Sequence, residues 1–147
     1  MTLPIGGAPA GPGRWPEGDS LWDRLGDGGT FGHAAAVLAL CSPDLVEARG
    51  CVLMAERFDQ ANFATWWDKL DGRGPDVERV INHVHLWDVF TDVDDVAEPV
   101  LERFAEELAD VWRAVLAHRF PDRTFVVEVT GGPDEYGPTL TFFQTPA

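Results

Sequence analysis

The chain has 147 residues, 45% of them apolar and 24% charged, with a formal net charge of −14. That length suits one domain with a core of its own, and the balance excludes wholesale disorder. The charge opposes nucleic-acid backbones and anionic membranes, no stretch reaches the roughly 18 apolar residues of a membrane span, and Cys41 and Cys51 are too few for a disulfide framework.

Some of the acidity is background. Lys69 is the only lysine against ten arginines, and Ala, Gly, Pro and Asp abound, the signature of a GC-rich coding bias. The start MTLPIGGAPAGPG has no basic segment followed by an apolar run, so it does not read as a secretory signal. A cytoplasmic protein with reduced thiols and no cofactor is expected.

Residues 1–18 form a Gly/Pro-rich arm, with Trp15 as its one anchor, and residues 19–147 form a single α+β domain. Ser20 and Asp23 pattern as the cap of a helical turn that Gly26 ends, and GDGGT at 26–30 is a loop. Thr30 caps a helix over Phe31–Cys41 whose apolar character all round predicts burial. Ser42-Pro43-Asp44 stops it. Leu45–Phe58 reads as one strand, half-exposed around Glu47 and Arg49 and apolar on both faces through Met54. Asp59 caps a helix over Gln60–Leu70, with Phe63, Trp66, Trp67 and Leu70 on one stripe. Adjacent Trp66 and Trp67 cannot both enter the core, so one is expected at a rim.

After the loop DGRGPD, the β-branched and aromatic run RVINHVHLWDVF predicts an inner strand from about Glu78 to Phe90. A helix opened by Pro75 is the alternative, because Val77, Val80, Ile81 and Val84 also fit a helical period. The longest helix starts at Asp95 or Glu98 and runs to Arg119, with Leu101, Phe104, Leu108, Val111 and Val115 in step and Trp112 and Leu116 thickening the stripe. Pro121 ends it. Strands at Arg123–Thr130 and Thr139–Gln144 close the chain, joined by GGPDEYGP, which exceeds what a tight hairpin needs. The sum is about four mostly antiparallel strands with three main helices packed on one face, a two-layer sandwich.

Two patterns point towards function. From Asp88 to Asp110 nine acids face one base, Arg103, leaving −8 of the chain's −14. Glu98, Glu102, Glu106 and Asp110 recur every four residues, lining one helix face where like charges cost the helix about 0.2–0.5 kcal/mol per pair. With Asp92 and Asp95 they make a surface for a basic protein partner. The plainer alternative is a solvated helix face.

The second pattern is His83 and His85. Alternation in a strand places both on one face, where two imidazoles can meet one metal or do acid–base work. Asp88 would join them only if the strand ended or twisted there, and Cys41 with Cys51 would complete a Cys2His2 set only at unusual spacing. The plainer alternative is a half-buried imidazole bonded to backbone or carboxylate beside one at the surface.

Lesser candidates surround these two. GDGGTFGH has the glycines of a phosphate cradle but lacks the Lys and Ser/Thr of a P-loop, and Asp23 and Asp27 would repel phosphate. Asp134, Glu135 and Tyr136 sit on the long hairpin connection, a common place for binding groups. No GxSxG, HExxH, CxxC or GxGxxG motif occurs.

The leading expectation is a non-enzymatic acidic binding module, an immunity or antitoxin-type inhibitor of a basic protein. A small enzyme or a metal- or ligand-binding domain using His83, His85 and Asp88 comes second. A homodimer built on an exposed Trp and an edge strand comes third.

Overall fold

The computed structural model describes residues 28–131 and 136–145. The expectations for the N-terminal arm, Trp15, the Ser20–Gly26 turn and the loop acids Asp134 and Glu135 fall outside those residues. The described elements are mixed: α1 (Phe31–Cys41), β1 (Leu45–Ala48), β2 (Cys51–Met54), α2 (Gln60–Lys69), α3 (Gly74–Ile81), β3 (Val84–His85), a single turn α4 (Leu86–Val89), α5 (Glu98–Arg119), β4 (Phe125–Thr130) and β5 (Thr139–Gln144). Short 3-10 turns occupy Ala55–Arg57 and Val93–Asp95.

The α+β class holds, but the strands number five rather than four among the described residues and form two sheets. β1 and β2 make an antiparallel hairpin, and β3-β5-β4 make an antiparallel three-stranded sheet with β5 in the middle.

Two sequence expectations needed correction around this frame. The strand expected over Leu45–Phe58 is the β1–β2 hairpin, folded at Arg49 (φ 48°) and Gly50 (φ 81°). Two successive positive φ values are the mark of a type I′ turn, whose twist matches the flanking strands. Arg-Gly is a poor advertisement for that turn, because arginine accepts positive φ only at a cost.

The inner strand expected from Glu78 to Phe90 is mostly helical. α3 takes its first half, with Pro75 near its start and Val77, Glu78 and Ile81 buried on one face. Only Val84 and His85 pair as a strand, against Leu140 and Thr139. The helix wins because its period places Val77 and Ile81, with two polar residues, on one inward stripe.

Those polar residues hold the fold together. Glu78 and Asn82 are fully buried and lie four positions apart. The Glu78 carboxylate accepts from Val52 N at 2.7 Å, Gln144 N at 2.6 Å and Gln144 Nε2 at 2.6 Å. Asn82 accepts from Met54 N at 3.0 Å and donates to the carbonyls of Val52 at 2.9 Å and Phe142 at 3.2 Å. The outer edge of β2 and the strand β5 are thereby joined through side chains where backbone pairing between the two sheets is absent. Buried N–H and C=O groups demand partners, and here α3 supplies them.

The core divides accordingly. One cluster gathers Val52, Met54, Val84, Leu86, Leu108, Trp112, Leu116, Leu140 and Phe142 between α5, the three-stranded sheet and β2. A second gathers Cys51, Leu53, Phe63, Val77 and Ile81 between β2, α2 and α3. β2 feeds alternate side chains to each, which is why both of its faces are apolar. Burial and the nearby Glu78 charge push the Cys51 thiol up to about 11.

β5 is also covered twice. Leu140 and Phe142 meet α5, while Thr141 Oγ1 donates to Arg79 O at 2.9 Å and the Arg79 guanidinium lies 4.2 Å from the Phe143 ring centroid. Helices therefore flank this strand on both faces, not on one as the sequence suggested.

α5 begins at Glu98, the later of the two expected starts, and ends at Arg119 as expected. Its buried face is Leu101, Ala105, Leu108, Ala109, Trp112 and Leu116; Val111 turns outward. Thr30 and Asp59 cap α1 and α2 as predicted, accepting from His33 N at 3.1 Å and Asn62 N at 2.8 Å. Trp66 and Trp67 are both half-buried, with Lys69 and Arg49 over their rings.

α1 contradicts its expected burial. None of its residues is buried, and Phe31 is 89% and Leu38 69% exposed. It meets the core through its last turn, where Leu40 and Cys41 pack and Leu40 O accepts from Trp112 Nε1 at 2.8 Å. An apolar composition all round signals that every face avoids water, but it does not supply the neighbours.

Candidate functional site

The surface that brings the sequence candidates together surrounds the end of the β4–β5 hairpin where Thr130 pairs with Thr139. Pro138 O accepts from Leu86 N at 3.0 Å, which fixes α4 beside the start of β5. Gly137 (φ 69°) then lies so close against the Trp87 indole that a Cβ has no room, and Gly131 (φ 92°) meets the Gly137 carbonyl in the same way. Glycine is required at both positions by conformation and by space.

A row of four rings follows. His83 and His85 meet edge-on with centroids 5.0 Å apart, His85 meets Tyr136 at 5.4 Å, and Tyr136 meets Trp87 at 5.6 Å. His83 Nδ1 is bonded to the Val80 carbonyl, and this contact requires the proton on Nδ1. His85 Nδ1 bonds Thr139 Oγ1 at 2.7 Å. Tyr136 donates its hydroxyl to Asp88 Oδ1 at 2.8 Å. That bond and the Asp88 charge hold the Tyr136 phenol above its ordinary pKa, with Asp94 contributing in the same direction.

The expected association of His83, His85 and Asp88 is thus only partly realised. The two imidazoles are neighbours, but Asp88 serves Tyr136. Among the described residues no carboxylate hydrogen-bonds either imidazole, so no Asp–His pair forms to orient a general base. Nor do three or more His, Cys, Asp or Glu side chains gather in a way that could hold a metal ion among the described residues, and the Cys2His2 set does not form. Cys51 instead bonds its thiol to Gly74 O at 3.7 Å on the other side of β2.

On the far side of Pro138 the acidic helix face begins. Glu102, Glu106 and Asp110 are exposed and Glu98 is half-buried at the first turn of α5, while Asp92 and Asp95 are exposed in the preceding turn. Pro99, Glu102, Arg103 and Glu106 from α5 face Val129, Gly131 and Pro138 from the hairpin across an open groove of about 540 Å³. Arg113 pairs with Asp110 at 2.7 Å and Arg103 with Glu107 at 3.3 Å. Among the described residues no ion pair engages Glu102 or Glu106. Arg113 therefore offsets Asp110, the last acid of this face, and Arg103, which itself lines the groove, is paired with Glu107, so that Glu102, Glu106 and Glu107 outnumber the one guanidinium there.

The link between the acidic face and the aromatic row was not legible in the sequence. Tyr136 and Trp87 stand 49 positions apart, and only the hairpin's return brings them into contact. A partial signal existed in Gly137-Pro138, which punctuates the chain as a turn but names no partner.

No family model matches the chain, and comparisons with curated proteins and with solved structures likewise return no match. No helix among the described residues is long and apolar enough to cross a membrane.

Proposed function

We propose that this protein binds a basic protein partner through the acidic groove between α5 and the β4–β5 hairpin, an immunity or antitoxin-type inhibitor being the concrete form. The observation that carries the reading is the groove wall itself. Glu102 and Glu106 are presented to solvent without an ion pair among the described residues, beside a shaped cleft and not on a bare helix. Negative potential in a concave site attracts and orients a cationic partner, and complementarity of this sort needs no catalytic group.

The test is capture from the host lysate by the tagged protein, eluted with a salt gradient, compared with a Glu102→Lys, Glu106→Lys variant. Both sites are exposed, and the changed helix pairs alter stability by only about 0.5 kcal/mol, so the variant folds. One basic protein should leave the wild type at moderate salt and bind the variant at least about tenfold more weakly. Equal capture by both proteins would end the reading.

Self-association is a second reading, favoured by the exposed apolar side chains of α1. Light scattering of the purified protein decides it: a monomer removes this alternative.

A further inference from the structure

Resting on the reading of an acidic surface for a cationic partner, we propose that Trp87, Tyr136 and Asp88 are the anchor that receives an arginine side chain of that partner. Trp87 is 39% and Tyr136 56% exposed, yet their rings meet at 5.6 Å with a 55° tilt. Two large aromatic faces left in water at an angle to one another, beside a carboxylate, have the composition of an interface hot spot. They are also held in place before any partner arrives. Gly137 packs under the Trp87 indole, His85 meets Tyr136 edge-on, and the Tyr136 hydroxyl is tied to Asp88 Oδ1 at 2.8 Å. Side chains ordered in advance lose less entropy on binding.

The chemistry selects arginine. A guanidinium is planar and weakly hydrated, so it lies flat on an indole or phenol while its N–H groups reach a carboxylate. Asp88 gives one oxygen to Tyr136, and Oδ2 has no hydrogen bond among the described residues. A lysine ammonium meets the charge but has no plane to stack, and an apolar side chain would cover the Asp88 charge without supplying a cation.

The same chain uses this arrangement internally. Arg79 sits 4.2 Å from the Phe143 centroid and pairs with Glu128 at 3.1 Å; Arg123 sits 5.2 Å from the Phe120 centroid and pairs with Glu47 at 2.6 Å. Ring and carboxylate each take a share of one guanidinium. Trp87, Tyr136 and Asp88 repeat the ring-and-carboxylate pair at an exposed site where, among the described residues, no arginine or lysine of the chain is engaged. From that anchor, Gly137 and Pro138 lead directly to the groove of Glu102 and Glu106. A partner segment with an arginine on Trp87 would therefore lay its neighbouring basic residues along the acidic wall.

The probes are fluorescein-labelled nona-arginine and nona-lysine peptides, titrated at low salt and followed by anisotropy. The wild type should bind nona-arginine more tightly than nona-lysine. Trp87→Ala and Asp88→Asn should each weaken nona-arginine about tenfold and remove the preference. Asp88→Asn keeps an acceptor for Tyr136, so the anchor remains testable if Trp87→Ala loosens the hairpin. If both variants retain the preference and bind within about twofold of wild type while Glu102→Lys, Glu106→Lys weakens both peptides, the anchor is wrong and the acidic groove stands. If none of the variants weakens either peptide, anchor and groove fall together.

Discussion

Glu78→Ala should lower the stability of the protein by about 3–5 kcal/mol, because buried N–H groups stripped of their acceptor each cost about 1–3 kcal/mol. Three such donors depend on this one carboxylate: Val52 N, Gln144 N and Gln144 Nε2. The last is the least costly to release, since Gln144 is half-buried and its Nε2 also donates to Gly50 O at 2.9 Å. The loss is large beside the total of about 5–15 kcal/mol typical of a domain.

Glu78→Gln separates shape from chemistry. It keeps the volume but turns an N–H donor towards a site that already supplies only donors, so it should still cost about 2 kcal/mol. Urea unfolding followed by tryptophan fluorescence and by circular dichroism measures both. A cost below about 1 kcal/mol for Glu78→Ala would mean that water replaces the carboxylate and that the joint between the sheets lies elsewhere. Asn82 belongs to the same joint, so a double variant should cost less than the sum of the single ones.

Trp112→Ala should cost a similar amount, about 3–5 kcal/mol, as for other buried large aromatics. Trp112 is 1% exposed and meets Phe142 edge-on at 5.7 Å in the centre of the larger core cluster. Its indole has a second task, holding α1 through Leu40 O at 2.8 Å. Trp112→Phe isolates that task, because a ring remains in the core and the donor is lost. Stability should fall by only about 1–2 kcal/mol, while hydrogen exchange across Phe31–Cys41 accelerates. Arg119, which donates to Pro43 O and Ser42 Oγ at 2.7 Å each, holds only the residues after the helix. Unchanged exchange in α1 would show that packing of Leu40 and Cys41 suffices without the indole.

The arrangement explains why the acidic helix can be tolerated. The inward face of α5 buries six side chains, five of them in the main core, and this burial outweighs repulsion of a few tenths of a kcal/mol per pair along the outer face. The outer face is then free to carry charge whose use lies in recognition. Stability and the proposed binding are thus divided between opposite faces of one helix.

Where local pattern and tertiary contact agree, the sequence was sufficient. It determined α5 and its ends, α2 with the Asp59 cap, the Thr30 cap of α1, the β4–β5 hairpin and the acidic row, because each depends on periodicity or on a neighbour within a few residues. Tertiary structure decided the rest. The run Glu78–Phe90 is β-branched enough for a strand, but Glu78 and Asn82 gain buried partners from β2 and β5 only if that run begins as a helix, and no local rule contains those partners. Apolar α1 could not reveal its own exposure, since burial is a property of what packs against a segment. Asp88 was legible as a companion of His83 and His85, but the chain's return at Gly137 set Tyr136 beside it instead. Hydrogen bonds and ring contacts between residues some fifty positions apart are made by the fold, and they are what turns scattered acids and aromatics into one surface.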